Sequence, residues 1–150
     1  MKAVDPGLLE EISALTAKNT NGDVRVAIKT LLYCATIEAE TVQGCFDKAR
    51  EDVVIDVLNS INEKGLLILK AALEEPSKLV KAVYQRYVGQ SRGFKEEPYG
   101  YTQFYSTLGY LASLGVILLV SAKVDRTFTN RIEPLILVQE LEAAMAHRFQ

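Results

Sequence analysis

The 150-residue sequence contains no tryptophan, a single histidine and only two cysteines. The histidine, His147, stands three residues from the C-terminus, and no nucleophile, base and orienting group can be assembled around it. Cys34 and Cys45 lack the spacing of metal ligands, so we expect two buried thiols. A glycine-rich phosphate loop followed by Lys and Ser or Thr is also missing. The sequence therefore predicts a chain that is not itself an enzyme, with no catalytic residues and no metal site.

Long apolar runs are also missing. No run reaches the roughly 20 residues that a helix needs to span a bilayer. The first residues lack the apolar core of a signal peptide. We therefore expect a cytoplasmic location and no membrane partner. The composition, 49% hydrophobic and 24% charged, is typical of a globular protein that can bury a core.

The formal net charge of −2 does not favour nucleic acid, but the distribution of charge does. Residues 1–77 hold 8 Lys and Arg against 13 Asp and Glu, a net charge of −5. Residues 78–131 hold 8 Lys and Arg against 3 acids, a net charge of +5. Positive charge on one segment is what attraction to phosphates requires, so this segment is the candidate nucleic-acid interface.

A helix with an unusual outer face is predicted over residues 101–114, after the breakers Pro98 and Gly100. Phe104, Leu108 and Leu111 share one face at helical spacing. The opposite face carries small or hydrogen-bonding groups and no charge: Thr102, Gln103, Ser106, Gly109, Tyr110 and Ser113. A solvated face would usually carry Lys and Glu, so this pattern is typical of a recognition helix.

A hairpin is predicted after that helix, with strands near residues 116–123 and 131–137 joined by residues 124–130. Three helices followed by a strand, a turn and a strand is the order of a winged helix-turn-helix. Lys123, Arg126 and Arg131 flank a tip that contains Thr127, Thr129 and Asn130. These groups suit phosphate and minor-groove contacts. A charged hairpin that serves only solubility remains an alternative.

The other helices complete a mainly α fold. Asp5 should cap a helix that starts at Pro6, Asp23 a second helix, and a third should run from near Thr41 to residue 59. Further helices are expected over residues 66–75, 77–88 and 139–148, with a polar connection over 89–100. The apolar positions predicted for the second helix are Val24, Ala27, Ile28, Leu31, Leu32 and Ala35. We predict a small helical bundle over residues 1–60 and a winged-helix domain over 61–150.

Segments from both halves resemble one family. Residues 19–35, NTNGDVRVAIKTLLYCA, resemble the second-sensor helix in the lid of AAA+ ATPases, specifically of archaeal Orc/Cdc-type replication initiators. The family pattern G-D-x-R-x-A is matched by Gly22, Asp23, Arg25 and Ala27. INEKGLLILKAALEE, the helix ending in YQRY, and YTQFYSTLGYLASLGVI look like that family's winged-helix domain in the same order. The resemblance covers nearly the whole chain.

The resemblance implies a function and a set of ligands. In that family the arginine matched by Arg25 approaches the nucleotide phosphates from the lid, and ATP or ADP with Mg²⁺ is bound by the full-length protein. The winged helix binds origin DNA, with its recognition helix in the major groove and its wing in the minor groove. The Walker A and B motifs, the first sensor and the second DNA-contacting insertion are missing from this sequence, so no cofactor is expected for this chain itself.

We therefore expect the chain to bind double-stranded origin DNA and to support helicase loading, with the replicative helicase and other initiator subunits as further partners and a nucleoid-associated location. A winged-helix transcription regulator that dimerises through its N-terminal helices, and a protein-docking winged helix, remain alternatives. The residues predicted to contact DNA are Tyr99, Tyr101, Thr102, Gln103, Ser106, Tyr110, Lys123, Arg126, Thr127, Thr129 and Arg131.

Overall fold

The computed structural model describes residues 6–20, 22–36 and 41–149, and over these ranges it contains seven helices and one two-stranded antiparallel sheet. The elements are α1 Pro6–Thr20, α2 Val24–Thr36, α3 Val42–Ser60, α4 Glu63–Glu74, α5 Val80–Gly93, α6 Tyr101–Ser113, β1 Ile117–Val124, β2 Thr127–Pro134 and α7 Val138–Arg148. The predicted mainly α class with a small hairpin is confirmed. The chain packs as two units, which meet in sequence between Asp56 and Val57, inside α3.

The first unit contains α1, α2 and most of α3. Its interior includes Ile12 and Phe46 together with two buried threonines, Thr16 and Thr30. Each threonine hydroxyl donates a hydrogen bond of 2.7 Å to the carbonyl four residues earlier in its own helix. The two hydroxyls are thereby satisfied without a partner from another helix, which is why threonine can occupy these interior positions.

The apolar stripe predicted for α2 is wrong in part. Val24, Ile28 and Leu32 are 65%, 62% and 53% exposed, whereas Val26 and Thr30 are buried. The inward face of α2 includes Thr30, whose hydroxyl is satisfied by a carbonyl of its own helix. A count of apolar residues leaves threonine out and therefore does not find this face. The predicted cap at the start of α2 is present, since the backbone N–H of Arg25 donates to Asp23 Oδ1 at 3.0 Å. Asp5, the cap predicted for α1, lies outside the described residues.

The second unit is built around α4, whose residues Leu66, Leu67, Ile68 and Leu69 are all fully buried. Asn62 caps this helix, and its Oδ1 accepts from the backbone N–H of Gly65 at 2.8 Å. A Cβ at Gly65 would lie 2.5 Å from Ile61 Cγ2, so a side chain at this position would force the neighbouring packing apart. The buried face of α4 is the surface on which α5 and α7 pack.

Helix α5 is longer than predicted. The prediction ended it near Val88 and read a polar connection from Gly89, but the helix continues to Gly93. Ser91 is fully buried and its hydroxyl donates 2.7 Å to the carbonyl of Tyr87, so the polar sequence still has an inward face. Ser77, predicted as the cap of α5, lies two residues before the N-cap position, which Leu79 occupies.

The hairpin has a longer second strand and a tighter turn than predicted. β2 begins at Thr127 instead of Arg131, and only Asp125 and Arg126 separate the strands. Asp125 adopts φ 56°, the left-handed conformation that tight hairpin turns require and that Asp tolerates. Residues 127–129 were read as part of the tip because Thr127 and Thr129 are polar, but a ribbon that is exposed on both faces can pair polar residues along its whole length. A bridge between Leu79 and Arg131 adds a rudimentary third strand.

Candidate nucleic-acid interface

Helix α6 is held in place by an aromatic cluster on α5. Phe104 is fully buried, and its ring lies 5.7 Å from that of Tyr87 in a stacked arrangement and 4.9 Å from that of Tyr84. Tyr101 meets Tyr84 edge-on at 5.2 Å. Leu108 is buried on the same side as Phe104, as the sequence predicted, so the opposite side of α6 faces solvent.

The loop that leads into α6 is fixed by two hydroxyls of α5. Tyr84 donates to the carbonyl of Tyr99 at 3.1 Å, and the N–H of Tyr99 donates to the hydroxyl of Tyr87 at 3.0 Å. Burial raises the pKa of the Tyr87 hydroxyl above its ordinary value. The start of α6 is therefore set by hydrogen bonds as well as by packing, and a preorganised surface costs less to bind with.

Four predicted contact residues line one polar hollow. Tyr99, Gln103, Ser106 and Tyr110 surround a cavity of about 220 Å³ together with Asn62 at the start of α4. Their amide and hydroxyl groups can both donate and accept hydrogen bonds, as the edges of bases require. The structure thus brings together a set that the sequence places on two separate elements.

Thr102, Ser106 and Gly109 form the most outward ridge of α6, and all three are exposed. Apart from its two chain neighbours and the backbone of α6 itself, nothing lies within 4 Å of the position that a Cβ on Gly109 would take. A ridge of such small residues lets another molecule approach the helix backbone closely. Tyr101 and Tyr110, at 41% and 53% exposed, stand beside this ridge.

Asn62 and Lys64 belong to the same surface and were not predicted. The side-chain amide of Asn62 donates to the hydroxyl of Tyr99 at 3.3 Å, and the Lys64 ammonium lies 4.9 Å from the centre of the Tyr99 ring. Lys64 supplies a cation beside an α6 surface that has no charge of its own. In the sequence both residues look like ordinary helix-start residues, and only the contact with Tyr99 associates them with α6.

A side-chain hydrogen bond connects α6 to the hairpin. The amide of Asn130 on β2 donates to the hydroxyl of Tyr105. Tyr105 was not predicted as a contact residue, although it is 40% exposed. The bond joins the ribbon to one side of α6, so the two candidate contact elements are neighbours in the fold.

The pleat of the ribbon divides the predicted wing residues between two faces. Lys123 and Phe128 are cross-strand partners, and Phe128 and Asn130 alternate with Thr127, Thr129 and Arg131 along β2. Lys123, Phe128 and Asn130 share the face that meets α6 through Asn130. Thr127, Thr129 and Arg131 lie on the opposite face. The prediction placed Lys123, Thr127, Thr129 and Arg131 in one contact set, but a surface flat against either face would reach only part of it.

The wing cations have different surroundings. Arg131 forms an ion pair with Glu133 at 3.0 Å, which offsets its charge. Arg126 is exposed in the turn, beside the acid Asp125. Lys123 lies 5.9 Å from the ring centre of Phe128. Lys123 and Arg126 are thus better placed than Arg131 to attract phosphate.

Arg25, the predicted second-sensor residue, lies in the first unit. Its guanidinium pairs with Asp23 at 2.7 Å, and this hydrogen bond raises the pKa of the arginine. The side chain is half exposed. The part of the chain that the structure describes supplies no phosphate loop with which Arg25 could act.

An apolar cleft of about 310 Å³ lies elsewhere in the second unit, between α4, the end of α5 and α7. Phe94 and Phe149 meet there with ring centres 4.9 Å apart, and Leu141 and Met145 contribute to the lining. None of the predicted contact residues lines this cleft. Across the described ranges, no cluster of three potential metal-ligating side chains occurs, and no helix has the length and apolarity to cross a membrane.

The chain is similar to a curated replication protein. The chain is 29% identical over 134 residues to ORC1-type DNA replication protein 2 of Saccharolobus solfataricus. The match covers 77% of this chain and 32% of that protein, so the chain spans about a third of its relative's length. No protein-family model matches the chain.

Solved structures share this fold. The structure of the Aeropyrum pernix ORC1 protein in complex with DNA superposes with a TM-score of 0.76 at 19% identity, over 97% of this chain and 42% of the other. The Aeropyrum pernix ORC2 protein, solved as ADPNP-ADP complexes, gives a TM-score of 0.50 at 22% identity, over 98% and 41%. Both similarities extend over nearly the whole of the present chain.

Proposed function

Since the chain is a relative of the archaeal ORC1-type replication proteins, as its second-sensor and winged-helix segments predicted, we propose that it binds double-stranded DNA at replication origins. Helix α6 enters the major groove, and the β1–β2 hairpin lies along the adjacent minor groove. The neighbouring ORC1 structure contains DNA, which supports this assignment.

The observation that carries the proposal is the outer face of α6. It offers Thr102, Gln103 and Ser106 side by side, uncharged and exposed, on a helix fixed from behind by Phe104. Gln103 can bind adenine through two hydrogen bonds, and the hydroxyls can contact bases or phosphates. A helix face that carries short polar groups but no Lys or Glu is unusual for a merely solvated surface.

Cations stand around this face instead of on it. Lys64 lies on the α4 side, and Lys123 and Arg126 lie on the hairpin. Phosphates flank the grooves of DNA, so cations at the borders of an uncharged helix match the charge pattern of a duplex. In DNA-binding domains generally, contacts to phosphates position the protein on the duplex, and contacts to base edges read the sequence.

The base-contact role of Gln103 can be tested by fluorescence anisotropy on a duplex that the protein itself selects from a random pool. Gln103→Ala should weaken binding to this duplex by about 1–3 kcal/mol and relax the preference at one base pair, while binding to a scrambled duplex stays nearly the same. An equal loss on both duplexes would assign Gln103 to phosphate or to the fold.

The phosphate role of Arg126 has a different signature. Arg126→Ala should weaken binding to every duplex and lower the salt dependence of log Kd by about one unit. Lys70→Ala is the matched control, because it also removes one cation, but from the α4 surface beside the apolar cleft. The control should bind like the unchanged protein. If Arg126→Ala and Gln103→Ala also bind every duplex as tightly as the unchanged protein does, DNA does not contact this face. The proposal would then be replaced by a protein-docking winged helix or a winged-helix transcription regulator.

The wider activity of the family is a proposal for this chain. Within a complete initiator, Arg25 would contribute to a nucleotide site for ATP or ADP with Mg²⁺, and the winged helix would support helicase loading together with other initiator subunits. The observation that supports this role for Arg25 is its half-exposed guanidinium, which pairs with Asp23 at the start of α2.

A further inference from the structure

Phe128 is the most exposed large apolar side chain that the structure describes, at 76%. It lies on β2 two residues beyond the turn residue Arg126, at the free end of the hairpin. An aromatic ring exposed to this degree contributes little to the stability of its own domain, because aromatic side chains stabilise a fold by being buried. Its place at a ribbon tip indicates that another molecule covers it.

The surroundings of Phe128 indicate what that molecule is. On its face of the ribbon the neighbours are polar or cationic: Lys123 directly across the strands, with its ammonium 5.9 Å from the ring centre, then Ser121 and Asn130. Arg126 is exposed in the turn beside it. A protein-docking surface would present several contiguous apolar side chains, whereas here one ring stands alone between cations.

The face of the ribbon also matters. Phe128 and Asn130 alternate with outward residues, so they point to the same side, and Asn130 hydrogen-bonds Tyr105 of α6. The exposed ring therefore stands on the side of the ribbon that also meets the candidate recognition helix. If α6 lies in the major groove as proposed, the ring stands on the side of the ribbon nearer to the bound duplex.

We propose that Phe128 is a minor-groove wedge, which inserts its ring at one base step, partly unstacks that step and bends the duplex. The inference rests on the proposed DNA binding and adds a specific deformation to it. Lys123 and Arg126 hold the phosphates on either side of the groove, and their two charges outweigh that of Asp125 in the turn. Apolar side chains flanked by cations kink DNA in this way in several architectural proteins.

The test uses the full 150-residue chain and two readouts that do not depend on affinity alone. The bend is measured by energy transfer between dyes at the ends of a selected duplex. Unstacking is measured by the fluorescence of 2-aminopurine placed at successive steps along the minor groove. At saturating protein, the unchanged chain should bend the duplex by about 20–90° and brighten 2-aminopurine at one or two adjacent steps.

Phe128→Ala should lose most of the bend and the 2-aminopurine signal but should keep salt-dependent binding through α6 and the wing cations. Phe128→Leu should retain part of both, because leucine is also a wedge residue. Val124→Ala is the matched control: Val124 is 42% exposed on the opposite face of the same ribbon, and its loss should change neither readout.

The outcomes separate the wedge from the proposed function. The wedge is overturned if the bend and the 2-aminopurine signal persist in Phe128→Ala. It is also overturned if the unchanged chain binds a duplex that stays straight and stacked. Either result would leave DNA binding intact. Failure of the unchanged chain to bind any duplex at low salt would instead overturn the proposed function. Circular dichroism of each variant confirms that the fold is retained.

Discussion

Truncation of Phe104 tests the internal support of the candidate interface. Phe104 is fully buried and lies within 4.9 Å of the Tyr84 ring and 5.7 Å of the Tyr87 ring, measured between ring centres. Phe104→Ala removes the ring from a site that neighbouring aromatic side chains cannot fill without leaving their own contacts. Truncations of this kind cost about 3–5 kcal/mol.

The assay is urea denaturation followed by the near-ultraviolet circular dichroism of tyrosine. The chain has no tryptophan, and every tyrosine except Tyr33 lies between Tyr84 and Tyr110, so this signal reports mainly on the second unit. Phe128→Ala is the matched control, because it deletes the same ring from an exposed position and should change the unfolding free energy by less than about 0.5 kcal/mol. A loss below about 1 kcal/mol for Phe104→Ala would refute the assignment of the two faces of α6.

Other variants test separate parts of the account. Gly109→Ala should stabilise the second unit by up to about 1 kcal/mol in the same urea assay, because alanine favours helix and its Cβ would meet no neighbour. Lys78→Met should destabilise by about 1.5–3 kcal/mol, because the ammonium donates 2.7 and 2.9 Å hydrogen bonds to two carbonyls at the end of α4. The pKa of the Glu75 carboxyl is lowered, mainly by the hydrogen bond from Arg86 and to a smaller extent by the one from Ser77. Its stabilising contribution is therefore present above the ordinary pKa of about 4.3 and is lost as the pH falls through the lowered value; Glu75→Gln should make the unfolding free energy less dependent on acidic pH. Calorimetric titration with MgATP should show no heat beyond dilution, because Arg25 alone supplies neither a phosphate cradle nor a magnesium ligand; micromolar binding would reveal a nucleotide site in the chain.

The sequence predicted α6 accurately because helical periodicity and sharp breakers coincide there. Phe104, Leu108 and Leu111 recur on one face, and Gly115, with φ 81°, follows the helix end. The order of elements from α4 to β2 then follows from three periodic segments and a hairpin. These are local properties of the chain, so a pattern in the sequence is sufficient to find them.

Tertiary properties escaped the same reasoning. The extension of α5 depends on burial of Ser91, and the inward face of α2 depends on Thr30, both of which satisfy their hydroxyls within their own helix. A pattern that counts only apolar residues misses such positions. The association of Lys64 with the candidate interface depends on its contact with Tyr99 across the fold.

The wing was located correctly, but the start of its second strand was not. A shift in where β2 begins changes which side chains share a face, because side chains alternate along a strand. This is why Phe128 appeared as a loop residue in the sequence and stands opposite Lys123 in the structure. Alternation cannot be read from sequence when both faces of a ribbon are exposed.

The most direct test of the central claim is titration of the isotope-labelled chain with a short duplex, followed by the chemical shifts of its backbone amides. The account predicts that the largest shifts fall on Thr102, Gln103 and Ser106 of α6 and on Arg126 and Phe128 of the hairpin, and that they weaken as salt is added. Shifts confined to the residues that line the apolar cleft between α4 and α7, or no shifts at low salt, would contradict it.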